Sequence, residues 1–489
     1  MGGPEMAPQT PQRSSGPGEP GARLVPPKPP QRFIAGSPRP SNGLRLRTPT
    51  RPGKAVARLD SPTSDPAREA AQAIWRAALA AGNVAPLVDR ALERLRVELT
   101  RPSWRHLLVF GCGKASGAMA AALERALGPR ITEGLVVVKD GYTVLTERII
   151  VKQAGHPVPD ARGQAAAEAI VNRVRAAGAE DLILFLISGG GSALTPAPVP
   201  AITLAEKQET TRLLLGAGAT INELNAVRKH LSLFKGGQLA RAAAPATLIS
   251  LILSDVISDP LDVIASGPTA PDPTTFADAL AVLQRRGVGY LVPDAVRARL
   301  EAGARGEVQE TPKPGDPAFE RVTNLVIGNN ALVVDAAAAE ARRRGYRAEV
   351  LTRGLQGEAR EVARELVARA RTLPPRTCLI AGGETTVTVG GRGRGGRCQE
   401  FVLAAALELR PDDRIVVLAA GTDGTDGPTD AAGAVADAET IARGERAGRV
   451  ARAALDENDA STFLSAAGDL VVSGPTNTNL LDLYVLLRD

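Results

Sequence analysis

The stretch Leu182–Leu194, LILFLISGGGSAL, constrains this chain more than any other. Six apolar residues run unbroken into Ser188, three glycines and Ser192. A short continuous apolar run that ends in a turn signal predicts a strand buried on both faces, as in a parallel sheet. Gly189, Gly190 and Gly191 allow a sharp turn and leave backbone N–H groups unscreened by any Cβ. At the carboxyl end of a parallel strand such a loop lies where open α/β sheets bind their ligands. N–H groups turned the same way, beside the hydroxyls of Ser188 and Ser192, suit a phosphate or a carboxylate. A tight strand-to-helix turn that binds nothing satisfies the same local pattern.

The flanking sequence repeats the strand–helix alternation. Ser64 or Asp65 can cap a helix that opens with Pro66 and runs to Ala81, and a second helix is expected over Val84–Leu99. Strands are expected at His106–Phe110, Gly134–Lys139, Ile149–Lys152, Leu182–Ile187 and Thr247–Leu253, with helices between them. Residues 303–317, GARGEVQETPKPGDP, have linker composition and mark the expected domain boundary. Beyond it come strands at Asn324–Ile327, Arg347–Leu351, Thr377–Ala381 and Arg414–Ala420. A hairpin-like arm is expected at Val387–Val389, and a helix at Arg397–Leu409. This order predicts a doubly wound α/β sheet over 63–312 and a smaller α/β domain over 318–489.

Composition enters where it excludes partners. The 489 residues hold 59 Lys and Arg against 53 Asp and Glu, a net of +6 that invites a nucleic-acid reading. Ten of the basic and three of the acidic residues fall within the first 60, which leaves the remainder close to neutral. Residues 1–62, rich in Pro, Gly, Ser and Arg, carry almost no apolar periodicity and are expected to be disordered. An Arg-rich, acid-poor leader fits a transit peptide, but prolines such as Pro26, Pro27, Pro29 and Pro30 forbid its amphipathic helix. Cys112, Cys378 and Cys398 make an odd, widely spaced set with no zinc pattern, which suits a reducing cytoplasm. No apolar run reaches the roughly 20 residues of a membrane span. Neither nucleic acid nor membrane is an expected partner.

Several loops carry groups able to do chemistry. Gly111-Cys112-Gly113-Lys114-Ala115-Ser116-Gly117 is a glycine-rich strand-to-helix turn that fails the Walker A pattern, because Ala115 stands where Ser or Thr would ligate magnesium. Its GxGxxxG spacing, with Asp140 ending the next strand, only loosely resembles a dinucleotide fingerprint. Lys114, a cation beside exposed N–H groups, suits a phosphate in transfer or a substrate carboxylate. Two strand-end loops cluster carboxylates, Asp255/Asp259/Asp262 and Asp423/Asp426/Asp430. Hard oxygens of this kind suit magnesium with a nucleotide, although Asp, Gly and Pro also build turns unaided. Arg397 opens a helix, where a guanidinium is unfavourable unless it faces an anion. His156 and His230 assemble no catalytic or metal set and read as structural.

Taken together, these stretches resemble the class II glycerate kinases, which join an N-terminal glycerate-kinase domain to a C-terminal MOFRL domain. The resemblance rests on GCGKAS at 111–116, GHPVPD at 155–160, SGGGSAL at 188–194, INELNAVRKHLSLFKGG at 221–237 and SDVISDPLDVIASGPT at 254–269. GGETTVTV at 382–389, GGRCQEFVLA at 395–404, GTDGTDGPTDAAG at 421–433 and SGPTNTNLLDLYVLL at 473–487 extend it to the C-terminal part. It implies a Rossmann-like domain, a smaller α/β domain and a site in the cleft between them. It also implies ATP- and Mg2+-dependent phosphorylation of D-glycerate to 2-phosphoglycerate, with Lys114 and Arg397 as catalytic residues. Ser188, Gly189, Gly190, Gly191, Ser192 and Lys235 are then expected to bind substrate or phosphate, and Asp255, Asp423 or Asp426 to place the metal or act as base. Cys398 departs from the asparagine usual in the family. Two rivals remain: an NAD(P)-dependent hydroxypyruvate reductase using Asp140, and a non-catalytic sugar-acid binding module tethered by its basic tail. The oligomeric state, a homodimer among the options, stays open.

Overall fold

The computed structural model describes residues 65–99 and 104–489, so the expected disordered tail over 1–62 lies outside the described residues. The first sheet contains six strands: β1 His106–Cys112, β2 Glu133–Lys139, β3 Ile149–Ala154, β4 Asp181–Ile187, β5 Thr247–Leu253 and β6 Val322–Gly328. All are parallel, in the order β3-β2-β1-β4-β5-β6. This is the strand order of dinucleotide-binding folds, in which the direction of winding reverses between β1 and β4. The crevice at that reversal is floored by the turns after Cys112 and Ile187.

Strand β4 is buried along its whole length, as its unbroken apolar run requires. Leu182, Leu184 and Leu186 face one core and Ile183, Phe185 and Ile187 the other. Helix Ala161–Arg175 packs on the second face. The first face is covered by helices Pro66–Ala81, Val84–Arg94 and Ser116–Leu127. Asp65 supplies the cap of the first of these, accepting a hydrogen bond from Ala67 N at 2.9 Å.

The second sheet adds β7 Arg347–Leu355, β8 Thr377–Gly383, β9 Ile415–Gly421, β10 Gly433–Ala436, β11 Leu470–Val471 and β12 Asp482–Arg488. Its order is β11-β10-β9-β12-β8-β7, with β7 and β8 parallel and the other pairs antiparallel. The expected boundary does not separate the sheets. Residues 303–317 precede β6, yet β6 still pairs with β5, so the second sheet begins only at β7. One apolar core also passes without a break from the first sheet to the second through helices Pro66–Ala81 and Asn330–Arg343. A linker composition marked a surface crossing here, and burial on both sides kept the two sheets in one body. The hairpin-like arm expected at Val387–Val389 is not a strand; only Thr386 makes an isolated bridge, to Glu358. Among the described residues no helix is long and apolar enough to cross a membrane.

Strand β12 determines the geometry at the end of the second sheet. It runs antiparallel between β8 and β9, and its first residue, Asp482, sits in register with both Gly383 and Gly421. The carboxylate at the start of one strand therefore lies between the loops that leave the other two.

Candidate active site

The two glycine turns of the first sheet interlock. Gly113 has φ of +126°, and a Cβ there would lie 2.2 Å from Ser188 Oγ, so the close approach demands glycine. Lys114 N donates to Gly189 O at 2.9 Å and Ala115 N to Ser188 Oγ at 2.9 Å. These bonds fix the backbone of Lys114 and turn the Ser188 hydroxyl inward, where it joins the two turns. Ser192 Oγ likewise bonds Ser266 Oγ at 2.8 Å. Lys235 is fully buried behind the loop and donates from Nζ to Ser192 O at 2.6 Å. Gly189 packs so tightly on Asp255 that a Cβ would lie 2.0 Å from its Oδ2, and Gly190 lies against the His156 ring. Gly191 is buried against Cys112.

Across the crevice the second sheet presents its own polar groups. Lys114 Nζ donates to Asp423 Oδ2 at 3.1 Å, and the other Asp423 oxygen accepts from Thr425 N at 3.0 Å. Asn479 Nδ2 donates to Asp255 Oδ2 at 3.1 Å, a second contact between the sheets. Arg397 does face anions, as its place at a helix start required, but they are the protein's own. Its Nε and Nη2 clamp Asp482 at 2.5 and 3.0 Å, and Nη1 reaches Glu384 at 2.8 Å. The two carboxylates outweigh the effect of burial and hold the Arg397 guanidinium above its ordinary pKa.

Four carboxylates, Asp255, Glu384, Asp423 and Asp482, thus face two cations, Lys114 and Arg397. Burial pushes the Asp255 carboxyl up to about 6, with Glu384 and Asp423 adding to the rise and Lys114 opposing it. Glu384 is raised as well, chiefly by burial. Burial, then Lys114 and Lys139, push His156 down to about 4. His156 therefore stands neutral beside Gly190 rather than in an unrelated turn.

A cavity of about 1010 Å³ opens from this cluster. Asp255, Glu384 and Arg397 line it together with apolar residues that include Ile221, Val256, Ile257, Val263, Val387 and Val389. That volume and mixed lining match an organic ligand with a charged end.

Other expected site residues are drawn into structural roles. Asp426 is a helix cap: its two oxygens accept from Cys398 N at 3.1 Å and Gln399 N at 2.8 Å. Burial nevertheless pushes its carboxyl up to about 7. Asp259 accepts from Asn329, Asp262 from Lys229, and Asp430 is exposed. Asp140 is clasped by Arg162 through two 2.8 Å bonds, which occupies the acid that a ribose would need. Cys398 is fully buried, and burial beside Asp482 raises its thiol well above the usual range. Glu384, Asn479 and Asp482 were within motifs read from the sequence, but without the β8–β12–β9 register nothing singled them out.

Residues 70–301 match the family described as a domain of unknown function, DUF4147, and residues 377–482 match the MOFRL family. A Pyrococcus horikoshii protein named glycerate 2-kinase is 42% identical over 390 residues, covering 78% of this chain and 86% of that protein. The chain belongs to the glycerate kinase family. The crystal structure of a glycerate kinase from Thermotoga maritima superposes with a TM-score of 0.77 at 37% identity, over 86% of this chain and 99% of that one. A relative from Agrobacterium vitis, 44% identical over 79% of this chain and 88% of its own length, is named provisionally as a hydroxypyruvate reductase. Within this glycerate kinase fold, Lys114 and Arg397 come from different sheets and meet the same acidic cluster.

Proposed function

We propose that this protein transfers the γ-phosphoryl group of ATP to the 2-hydroxyl of D-glycerate, yielding ADP and 2-phosphoglycerate in the cleft between the two sheets. The observation that carries the reading is the 3.1 Å contact of Lys114 with Asp423, which brings a cation at the winding reversal against the end of the second sheet. Phosphoryl transfer asks a protein mainly for positioning and charge stabilisation, and this cluster supplies both.

The oxygen at C2 of glycerate attacks the γ-phosphorus, the bond from that phosphorus to the β,γ-bridging oxygen breaks, and ADP leaves with the electron pair. The hydroxyl proton passes to Asp255, which has one oxygen held by Asn479 and a pKa pushed to about 6, close to neutrality. Lys114, oriented by Asp423, neutralises charge on the moving group. Arg397, clamped by Asp482, reaches the cavity wall and binds phosphate or the acceptor carboxylate. The apolar part of the cavity accommodates the nucleoside.

Among the described residues no three His, Cys, Asp or Glu side chains gather into a metal cage. Mg2+ characteristically binds through one or two carboxylates plus nucleotide phosphates and waters, so a cleft rich in carboxylates fits metal that enters with the nucleotide. Asp423 and Glu384 would hold it, and its chemistry is charge neutralisation on the phosphates.

The test is ADP release from Mg-ATP with D-glycerate, followed by coupling of the product to enolase. ADP release with direct use of the product by enolase is expected. Oxidation of NADH by hydroxypyruvate in the absence of ATP, with no ADP release, would replace this reading by the reductase.

A further inference from the structure

Residues 390–394, GGRGR, join the motif at 382–389 to the one at 395–404, and the proposed reaction gives them no part. Every backbone N–H from Gly390 to Arg394 is taken by one turn, which joins helices Ala451–Asp456 and Ala460–Ala467. Gly390 N and Gly391 N both donate to Asn458 Oδ1 at 2.9 Å, and Arg392 N donates to Glu457 Oε2 at 3.3 Å. Gly393 N donates to Glu457 O at 2.8 Å and Arg394 N to Asp459 Oδ1 at 2.9 Å. Asn458 is 7% exposed and holds its place with φ of +53°, a conformation that asparagine tolerates.

The glycines here serve close contact with that turn. A Cβ at Gly391 would lie 2.2 Å from Glu457 O, and one at Gly393 would lie 2.3 Å from Asp459 Cβ. Gly395 faces Ala460 in the same way. Because alternate residues face the turn, Arg392 and Arg394 between them project to the other side. Arg394 Nη2 donates to Pro428 O at 3.1 Å, and Pro428 lines the large cavity together with Gly393, Gly395, Gly396 and Arg397. The Arg394 guanidinium thus rests on the cavity rim, three residues before the arginine that meets the acidic cluster.

Both loop arginines are exposed, and among the described residues neither forms an ion pair. Carboxylates on the same elements are engaged: Glu400 by Arg360 and Asn458, Asp459 by Thr462 and Arg394 N, Glu457 by Arg392 N. With the amides of 390–394 satisfied by the protein, the loop meets a ligand through its guanidinium donors, whose geometry suits phosphate oxygens. The wall runs outward from Arg397 to Gly393, so a phosphate chain whose γ end reaches the acidic cluster has its next phosphates along this loop.

We propose that the loop is a polyphosphate-binding strap of the nucleotide site, in which Arg394, with Arg392 beyond it, contacts the α- and β-phosphates while Lys114 serves the γ-phosphoryl group. The strap rests on the kinase reading for the identity of its nucleotide. Asn458 is a positioning residue that holds the strap against its turn.

Calorimetric titration of the full chain with Mg-ADP and with adenosine, alongside ADP-release kinetics, tests it in wild type, Arg394→Gln and Arg394→Lys. Arg394→Gln removes a charged hydrogen bond to phosphate, so Mg-ADP affinity should fall about tenfold or more while adenosine affinity stays within about twofold. The KM for ATP should rise by a similar factor, with the KM for D-glycerate and the melting temperature level. Arg394→Lys should recover part of the loss, because it keeps the charge without the planar fork. Equal loss of Mg-ADP and adenosine affinity would mean that the arginine only props Pro428, and would overturn the strap. Wild-type Mg-ADP affinity in the double variant Arg392→Gln/Arg394→Gln, or a rise confined to the KM for D-glycerate, would overturn it as well. A wild type that binds Mg-ADP through Arg394 yet releases no ADP from ATP and D-glycerate would instead overturn the kinase reading and leave the strap standing.

Discussion

Asp482→Asn probes how the second sheet aims Arg397. The Asp482 side chain is 1% exposed and accepts from Arg397 Nε and Nη2 at 2.5 and 3.0 Å and from the Tyr484 hydroxyl at 3.2 Å. An asparagine keeps the shape and one acceptor, and turns an amide NH2 toward the guanidinium. One charge-assisted hydrogen bond, worth about 1.5–3 kcal/mol, is lost. Arg397 is 35% exposed and keeps Glu384 at 2.8 Å, so solvent screens part of that loss. The net destabilisation should be about 2 kcal/mol, a fall of a few degrees in melting temperature. The effect on turnover should be larger than stability suggests. A guanidinium released from its clamp moves by about 1 Å, and misplacement on that scale costs about 10²-fold in rate. Steady-state ADP release and a thermal melt on the same sample give both quantities. A kcat within about threefold of wild type, alongside the expected loss of stability, would refute the idea that aiming Arg397 matters for turnover.

Lys114→Met should lower kcat by about 10²–10³-fold, as expected for a group that stabilises transition-state charge, and change the melting temperature little because the Asp423 pair is partly open to solvent. For Asp255, the folded carboxyl is pushed up to about 6, above its unfolded value, so the fold binds this proton more tightly than the unfolded chain does. The group therefore favours folding as pH falls from about 6 toward 4 and costs stability above 6. Asp255→Asn should raise the melting temperature at pH 8 and remove an acidic limb near pH 6 from the kcat/KM profile, with turnover reduced about 10²-fold or more. A limb that persists in the variant assigns the base elsewhere. Asp426→Ala removes a helix cap and should cost about 1–2 kcal/mol in denaturant unfolding. Its Mg2+ dependence of turnover should be unchanged, and a shifted dependence would make it a metal ligand after all.

The first sheet was legible because each strand is apolar along its length and each turn is rich in glycine. Thr247–Leu253 matches its expected bounds, and β4 differs only by Asp181. The second sheet was harder to read because all but one of its strand pairs are antiparallel and two of its strands are very short. Gly433–Ala436 contains only small residues besides Val435, and Leu470–Val471 is too short to carry a period. Lys114 stood out as a cation within a glycine-rich turn, and Arg397 as a guanidinium at a helix start, where the dipole disfavours it. The roles of Ser188 and Asp426 did not, since a hydroxyl or carboxylate in a loop gives no sign of whether it faces a ligand or a neighbouring N–H. Ser188 is taken by Ala115, and Asp426 by the helix that Arg397 opens. Glu384 and Asp482 needed the antiparallel register of β12 to be brought beside Arg397, and pairing across about a hundred residues leaves no local trace.

The central claim is that Lys114 from one sheet and Arg397 from the other act on the same phosphoryl transfer. A double-mutant cycle on kcat, comparing Lys114→Met, Arg397→Met and the pair under saturating Mg-ATP and D-glycerate, measures this directly. Groups that act as a unit give strongly non-additive losses. A double variant within about tenfold of the slower single variant is expected. Losses that multiply in full would mean that the two residues act independently, and the shared site at the apposed sheet ends would be wrong.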